Sequence, residues 1–139
     1  MMGGGGQQQL QQLSQELQAI DEEIETLQAE IDDLQTEQAE IDDAVEAIDT
    51  LDTGSTVQMP LGGGAYIRAE IQDIDEIIVD LGGDFAAEQD ADDAVDALRT
   101  KQDALDDRID EVQEEVAELE DESSELEQQA QQMQQQMQQ

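Results

Sequence analysis

Two long heptad repeats flank one short, glycine-punctuated segment, and this arrangement constrains the fold more than any other feature of the sequence. In a heptad repeat, apolar residues recur at spacings of three and four, so they form one stripe along a helix. The a and d positions of the first repeat are Leu10, Leu13, Leu17, Ile20, Ile24, Leu27, Ile31, Leu34, Gln38, Ile41, Val45 and Ile48. Those of the second are Val95, Leu98, Gln102, Leu105, Ile109, Val112, Val116, Leu119, Ser123, Leu126, Ala130, Met133 and Met137. Each stripe needs a partner helix to cover it, and the nearest partner is the other repeat.

The two repeats predict an antiparallel coiled coil with a single register. If Ile48 faces Val95, every further a residue faces a d residue without a slip, until Leu10 faces Met133. The ion pairs predicted by this register are Glu37–Arg108 and Asp42–Arg99. Exposed pairs contribute only about 0–1 kcal/mol each, so they select a register more than they stabilise it. The polar seam residues Gln38, Gln102 and Ser123 are interpreted as layers that fix the register or loosen the coil locally.

The composition fits a thin helical seam better than a thick globular core. The 139 residues are enough for one domain, and the aromatic residues are one Tyr and one Phe. The absence of Cys and His excludes disulfides, zinc–thiolate sites and histidine bases within this sequence. It is also compatible with a reducing cytosol.

The charge of the chain excludes several classes of partner. A net charge of −35, from 39 acidic and four basic residues, disfavours nucleic acids and anionic membranes as ligands. No apolar run approaches the roughly 18–20 residues that span a bilayer, and residues 1–12 lack the features of a secretory signal. Such charge usually indicates disorder, but the regular seam argues for a fold. Multimolar salt resolves the conflict because the Debye length at about 1 M is roughly 3 Å. We therefore expect a salt-adapted, halophilic cytoplasmic protein.

Turn and cap residues divide the single domain, 1–139, into four parts. A flexible tail is expected over 1–9, and the first coiled-coil helix over 10–51, where Asp, Thr, Gly and Ser residues follow. The segment 56–88 predicts two consecutive β-hairpins, with turns at its two glycine runs and with Pro60 at an edge or a bulge. The second helix is expected over 91–137, with Asp90 as its N-cap. The fold class is thus α+β.

Nothing in the sequence predicts catalysis, a metal or a cofactor. The many adjacent carboxylates lie on polar helix faces, where a solvated surface is the better interpretation than a catalytic dyad. No Lys-Ser or Lys-Thr follows a glycine run, so turns or a tail are favoured over a phosphate-binding loop. No Ser is accompanied by a base. The chain is therefore not expected to be an enzyme.

The hairpin segment carries more apolar residues than two helices can cover. Two isolated hairpins are marginal in water, and their edges are unpaired. Both problems disappear if strands from several chains join into a barrel, so the segment is predicted to be an oligomerisation module. The residues assigned to subunit assembly are Val57, Leu61, Ile67, Ile71, Ile77, Val79, Leu81 and Phe85.

Apolar residues also gather at the end of the coiled coil that lies farthest from the hairpins. These residues are Leu10, Leu13, Leu17, Leu126, Met133 and Met137. They are either the last layers of the coil or a fraying tip that holds unfolded chains. Methionine suits the second role because its side chain is flexible and adapts to varied apolar surfaces.

The central block resembles that of prefoldin alpha subunits. The resemblance rests on Met59–Ile67 (MPLGGGAYI) in the first hairpin, and on Ile77–Phe85 (IIVDLGGDF) followed by Asp92-Asp93-Ala94. Two hairpins, rather than one, are typical of the alpha class. The resemblance implies an ATP-independent co-chaperone of two alpha and four beta subunits, built as a β-barrel body with six coiled-coil arms. It also implies that arm tips capture non-native proteins and deliver them to a group II chaperonin.

The extreme acidity departs from the family pattern and puts any charge-based docking to the chaperonin in doubt. The alternative function is a structural coiled-coil adaptor, in which the hairpins form a hub and no client is bound. The large apolar set of the doubled hairpin favours the higher oligomer.

Overall fold

A computed structural model describes residues 3–138, and it contains two long helices separated by two β-hairpins. The elements are α1 (Gly3–Thr50), β1 (Thr56–Gly62), β2 (Ala65–Glu70), β3 (Ile77–Gly82), β4 (Phe85–Gln89) and α2 (Ala91–Met137). The predicted fold class is confirmed. The expected tail differs from the structure over residues 3–9, which form the first turns of α1. Residues 1 and 2 of that tail lie outside the described residues.

The chain forms two compact units. The hairpin unit comprises Thr36–Asp106, and the arm unit comprises the residues up to Gln35 together with those from Asp107 onward. Each unit contains one segment of α1 and one segment of α2.

The seam residues are covered as the heptads predict. Every predicted a and d position is buried or half-buried except Met137, which is 42% exposed. The buried members are Ile20, Ile41, Val45, Ile109, Val112 and Val116. In the arm unit Gly6 and Met137 form one more layer of the seam, since a Cβ atom placed on Gly6 would lie 3.2 Å from Met137 Sδ. This extra layer explains why α1 begins before Leu10. Glycine offers no side chain to cover this methionine, which explains its exposure.

The two hairpins share one design. β1 pairs antiparallel with β2, and β3 pairs antiparallel with β4. Each ladder shifts register next to its turn, between Pro60 and Gly62 in the first hairpin and between Asp80 and Gly82 in the second. A β-bulge of this kind inserts one unpaired residue and bends the strand. Each turn follows with glycines at positive φ, so both require residues without a Cβ.

Short polar contacts fix where the elements of the hairpin unit begin and end. Asp90 caps α2 as predicted, since its Oδ1 accepts a hydrogen bond from Asp93 N at 2.8 Å. The ladder of the first hairpin continues past its strands, because Ile71 N donates to Ser55 O at 2.8 Å and Gly54 N donates to Ile71 O at 2.7 Å. Thr53 Oγ1 then accepts from Ile74 N at 3.1 Å. The base of the first hairpin is thereby tied to the loop that follows α1.

Candidate interaction surfaces

The predicted assembly residues divide into a covered group and an open group. Val79 is only 4% exposed because its own chain already covers it, and its assignment to subunit assembly stays a prediction. Val57, Ile71 and Ile77 are half-buried. The open members are Leu61 (63% exposed), Ile67 (49%), Leu81 (51%) and Phe85 (77%). The open group supplies the apolar surface that the isolated chain leaves in water.

Three further open residues were not in the predicted set. Met59 is 51% exposed, Tyr66 61% and Ile78 74%. Strand alternation contains the signal for Ile78, because it points away from the face shared by Ile77 and Val79. Met59 lies opposite Ile67 in the ladder, so these two belong to one apolar face. Together with the four open residues above they form what we call the open hairpin surface.

Backbone edges accompany this apolar surface. Each described sheet has two strands, so each strand presents one edge without a strand neighbour in the described chain. Unpaired strand edges next to exposed apolar side chains are templates for pairing with another chain. A groove of about 450 Å³ also runs between the C-terminal end of α1 and β1. Its lining residues are Asp43, Glu46, Ala47, Thr50, Leu51 and Val57.

A polar layer interrupts the seam of the hairpin unit. Gln102 Nε2 donates to Gln38 O at 3.1 Å, and Gln38 Nε2 donates to Gln102 O at 3.4 Å, so each helix binds the backbone of the other. Gln102 Nε2 also donates to Asp42 Oδ1 at 2.9 Å, and Gln38 Nε2 donates to Asp106. Amides that are half-buried in a seam need such partners, and satisfying them favours one register over its alternatives.

One predicted ion pair is confirmed within this layer. Arg99 Nη1 lies 2.7 Å from Asp42 Oδ1, and it also donates to Gln102 Oε1 at 2.6 Å. The hydrogen bond from the Gln102 amide, followed by that from Arg99, lowers the pKa of Asp42. Asp42 therefore stays ionised to lower pH than an isolated carboxyl group.

The other predicted ion pair, Glu37–Arg108, is wrong. In the arm unit Arg108 binds Glu30 instead, with Nη2 at 2.9 Å and Nε at 3.1 Å from Oε1. Its Nη1 also lies 3.2 Å from Glu111 Oε2. Glu30 occupies the same heptad position as Glu37, one repeat earlier. With Glu30 as its partner on α1, the Arg108 guanidinium contacts two carboxylates, those of Glu30 and Glu111. The hydrogen bonds to Glu30 and then Glu111 raise the pKa of Arg108.

The predicted tip residues lie together in the arm unit, where the helices leave two grooves. The first, of about 360 Å³, is lined by Leu10, Gln11, Ser14, Leu17, Ala130 and Gln134. The second, of about 280 Å³, is lined by Gln9, Gln12, Leu13, Glu16, Gln129 and Met133. Leu126 is half-buried and lies outside both linings. Ala130 lines the first groove, and its side chain is small for a seam position, so it leaves space that a larger residue would fill.

Neither a metal centre nor a membrane segment occurs among residues 3–138. No group of three or more acidic side chains in that range is placed to hold a metal ion. Neither helix, over its described length, contains a stretch that is apolar enough to cross a membrane.

These features define a class of protein: two long helices with covered heptad seams, separated by two hairpins that leave apolar side chains and strand edges exposed. A family model for prefoldin subunits matches residues 20–136. A prefoldin subunit alpha from Halorubrum lacusprofundi is 76% identical over 103 residues, covering 74% of this chain and 68% of that protein. One from Haloquadratum walsbyi is 74% identical over 104 residues, covering 75% and 68%. The chain belongs to the prefoldin family, which confirms the resemblance found in the sequence.

A solved structure has the same fold. The cryo-EM structure of filamentous PFD from Methanocaldococcus jannaschii matches with a TM-score of 0.70, covering 81% of this chain and 95% of that one. The sequences are 24% identical, so the likeness concerns the fold alone. Prefoldin subunits are non-enzymatic chaperone components, and the chain is accordingly not an enzyme.

Proposed function

We propose that the chain is the alpha subunit of a cytoplasmic, ATP-independent co-chaperone that captures non-native proteins at its arm end. In this proposal two alpha and four beta subunits assemble, and the complex delivers its clients to a group II chaperonin. Family membership supports the co-chaperone role. The observation that carries the capture role is the pair of grooves at the end of the arm unit, which are lined by leucine, methionine and glutamine side chains.

Assembly is assigned to the open hairpin surface. Its seven apolar residues are 49–77% exposed in the single chain. At roughly 25 cal/mol per Å² of apolar area removed from water, burying such a set stabilises an oligomer substantially. Pairing of the free strand edges with strands of other subunits would close the sheets into a barrel and remove those edges.

Client capture is assigned to the six tip residues Leu10, Leu13, Leu17, Leu126, Met133 and Met137. A non-native chain exposes apolar side chains in no fixed pattern, so a binding surface must adapt to them. Two shallow grooves with methionine at one wall and at the end of the seam provide flexible apolar contact of that kind.

The test is suppression of aggregation of a chemically denatured model protein by the assembled complex in multimolar KCl. We expect the double change Leu13→Ser with Met133→Ser to weaken holding and to leave the mass of the complex unchanged. The matched control is Gln18→Ser with Gln113→Ser, which alters two exposed arm residues outside both groove linings and should hold clients as well as the unmodified chain. A complex that assembles but does not hold clients would contradict the capture role and favour the structural adaptor.

We interpret the acidic surface as an adaptation to strong salt. No charged side chain is buried among residues 3–138, so the carboxylates repel one another through solvent. Relatives from the halophilic genera Halorubrum and Haloquadratum support this assignment. We expect helicity, followed by circular dichroism, to rise with KCl; full helicity in dilute buffer would contradict it.

A further inference from the structure

The end of the arm unit carries no charged side chain, and the other long uncharged run, residues 53–67, belongs to the first hairpin and the loop before it. All 39 acidic and all four basic residues lie between Glu16 and Glu127. Residues 1–15 and 128–139 contain glutamine, glycine, alanine, serine, leucine and methionine only. In a chain with a net charge of −35, two such segments at opposite ends of the sequence form a distinct surface only if the fold brings them together.

The arm unit does bring them together. The first groove joins Leu10, Gln11 and Ser14 of α1 to Ala130 and Gln134 of α2, and none of its lining residues is charged. The lining of the second groove contains one acidic residue, Glu16. Gly6 and Met137 continue the contact toward the end. We call this surface, made of residues 5–15 and 128–138, the neutral tip.

We propose that the neutral tip is the place where acidic non-native polypeptides bind, and that its lack of charge confines such clients to the arm end. This inference rests on the proposed function and names the class of client. A basic client would gain from carboxylates at its binding site, and carboxylates recur along and next to both helices, from Glu16 to Asp52 and from Asp90 to Glu127. Omitting them from the helices at this end removes repulsion only for a partner of the same sign.

Distance and chemistry support the assignment. Ten helical residues at about 1.5 Å each separate the end of α2 at Met137 from Glu127 by about 15 Å, which is well beyond the Debye length of roughly 3 Å at about 1 M salt. Glutamine amides donate and accept hydrogen bonds, so they can contact the unpaired N–H and C=O groups of an unfolded backbone without charge. All the glutamines of the neutral tip are exposed.

The test compares two sets of four Gln→Glu changes that add the same charge. The tip set is Gln11→Glu, Gln12→Glu, Gln129→Glu and Gln134→Glu. The matched control set is Gln18→Glu, Gln28→Glu, Gln35→Glu and Gln113→Glu, all exposed and all outside the neutral tip. Glutamine and glutamate have similar helix propensities, so both variants keep their helices.

The probes are two unfolded peptides with identical apolar residues, one with glutamate spacers and one with lysine spacers. Binding of each to the assembled complex is measured by fluorescence anisotropy, at the lowest KCl concentration that maintains full helicity. We expect the tip set to weaken binding of the glutamate peptide about tenfold, as for like charges placed in contact. The lysine peptide should bind equally well or more tightly, and the control set should change neither affinity by more than about twofold.

The other outcomes are also decisive. Equal weakening of both peptides by the tip set, or no weakening, would overturn the charge argument while leaving capture at the tip intact. If the unmodified complex bound neither peptide, or if Leu13→Ser with Met133→Ser left binding unchanged, capture at the tip would itself be wrong, and the client class would fall with it.

Discussion

The two hairpins have the same local design but different surroundings. Leu61 and Leu81 each occupy the bulge. Leu61 is followed by three glycines and Leu81 by two, and the first two have φ values of 99° and 59° in both hairpins. Yet the second hairpin contains a buried strand residue, Val79, whereas no residue of the first hairpin is buried. The second hairpin also receives a contact from α2, because Lys101 Nζ donates to Asp80 O at 3.0 Å.

This difference shows that the bulge and turn are encoded locally and that burial is not. A Leu-Gly-Gly sequence specifies the same kink in both places, since each glycine adopts a backbone conformation that other residues avoid. What differs is the contact with the helices of the same chain. We interpret the second hairpin as anchored to its own chain at Val79, and both hairpins as open to other chains through their exposed apolar residues.

The largest expected effect comes from equivalent positions two residues before each bulge. Val79→Asp would place an unpaired carboxylate where the side chain is 4% exposed, and we expect it to lower the free energy of unfolding by about 3 kcal/mol or more. Met59→Asp should change it by no more than about 0.5 kcal/mol, because that side chain is 51% exposed. Denaturant unfolding of the unassembled chain in KCl measures both. Equal losses would remove the distinction between the hairpins.

The glycines before the two turns should respond equally to substitution in the two hairpins. Gly62 and Gly82 both have φ of 99°, and no atom within 4 Å would meet a Cβ added to either. Alanine should therefore cost about 1–2 kcal/mol at each position through backbone strain alone. The same unfolding measurement applies. A cost at Gly82 much larger than at Gly62 would mean that packing, rather than the turn, decides.

A smaller effect should separate the hairpins again. Lys101→Gln removes a charged donor to Asp80 O, and we expect a loss of about 1 kcal/mol confined to the second hairpin. Hydrogen exchange should quicken for the amides of Ile77–Gly82 and remain unchanged for those of Thr56–Gly62. Lys101→Arg, which keeps a cationic donor, serves as the control. Faster exchange in both hairpins would show that Lys101 supports the unit as a whole.

The smallest effect should involve neither hairpin. The folded pKa of Asp42 is lowered, so this carboxylate contributes stability that is fully present above its unfolded pKa of about 3.9. That contribution disappears as the pH falls through the lower folded pKa. Asp42→Asn should therefore be less stable than the unmodified chain at neutral pH, with the gap closing only below about pH 4. Unfolding midpoints across this range measure it, and a gap independent of pH would contradict the argument.

The sequence predicts local and periodic features well. The heptads predict which helix residues are covered, and Asp90 and the glycine runs predict a cap and two turns, because each depends on neighbours in the chain. The helical turns from Gly3 to Gln9 escape prediction because glycine disfavours helices, and there the seam layer at Gly6 and Met137 overrides that propensity.

Features that depend on tertiary contact are less predictable. Val79, Ile78 and Phe85 are all apolar residues of the second hairpin, but the residues are 4%, 74% and 77% exposed, respectively. Pattern alone marks such residues as apolar without saying whether their own chain or another covers them. The choice of Arg108 between Glu30 and Glu37 has the same origin, since a long guanidinium side chain reaches carboxylates in successive heptads.

The most direct test of the account is the mass of the native complex in multimolar KCl, measured by sedimentation after purification through a tagged chain. We expect a six-chain complex with two copies of this chain and four of a second subunit. We also expect Leu61→Ser with Leu81→Ser, at the two bulges, to dissociate that complex while each chain stays helical. A tagged chain that sediments as a monomer with its hairpin surface open, or a complex that withstands both changes, would contradict the assignment of the hairpins to assembly.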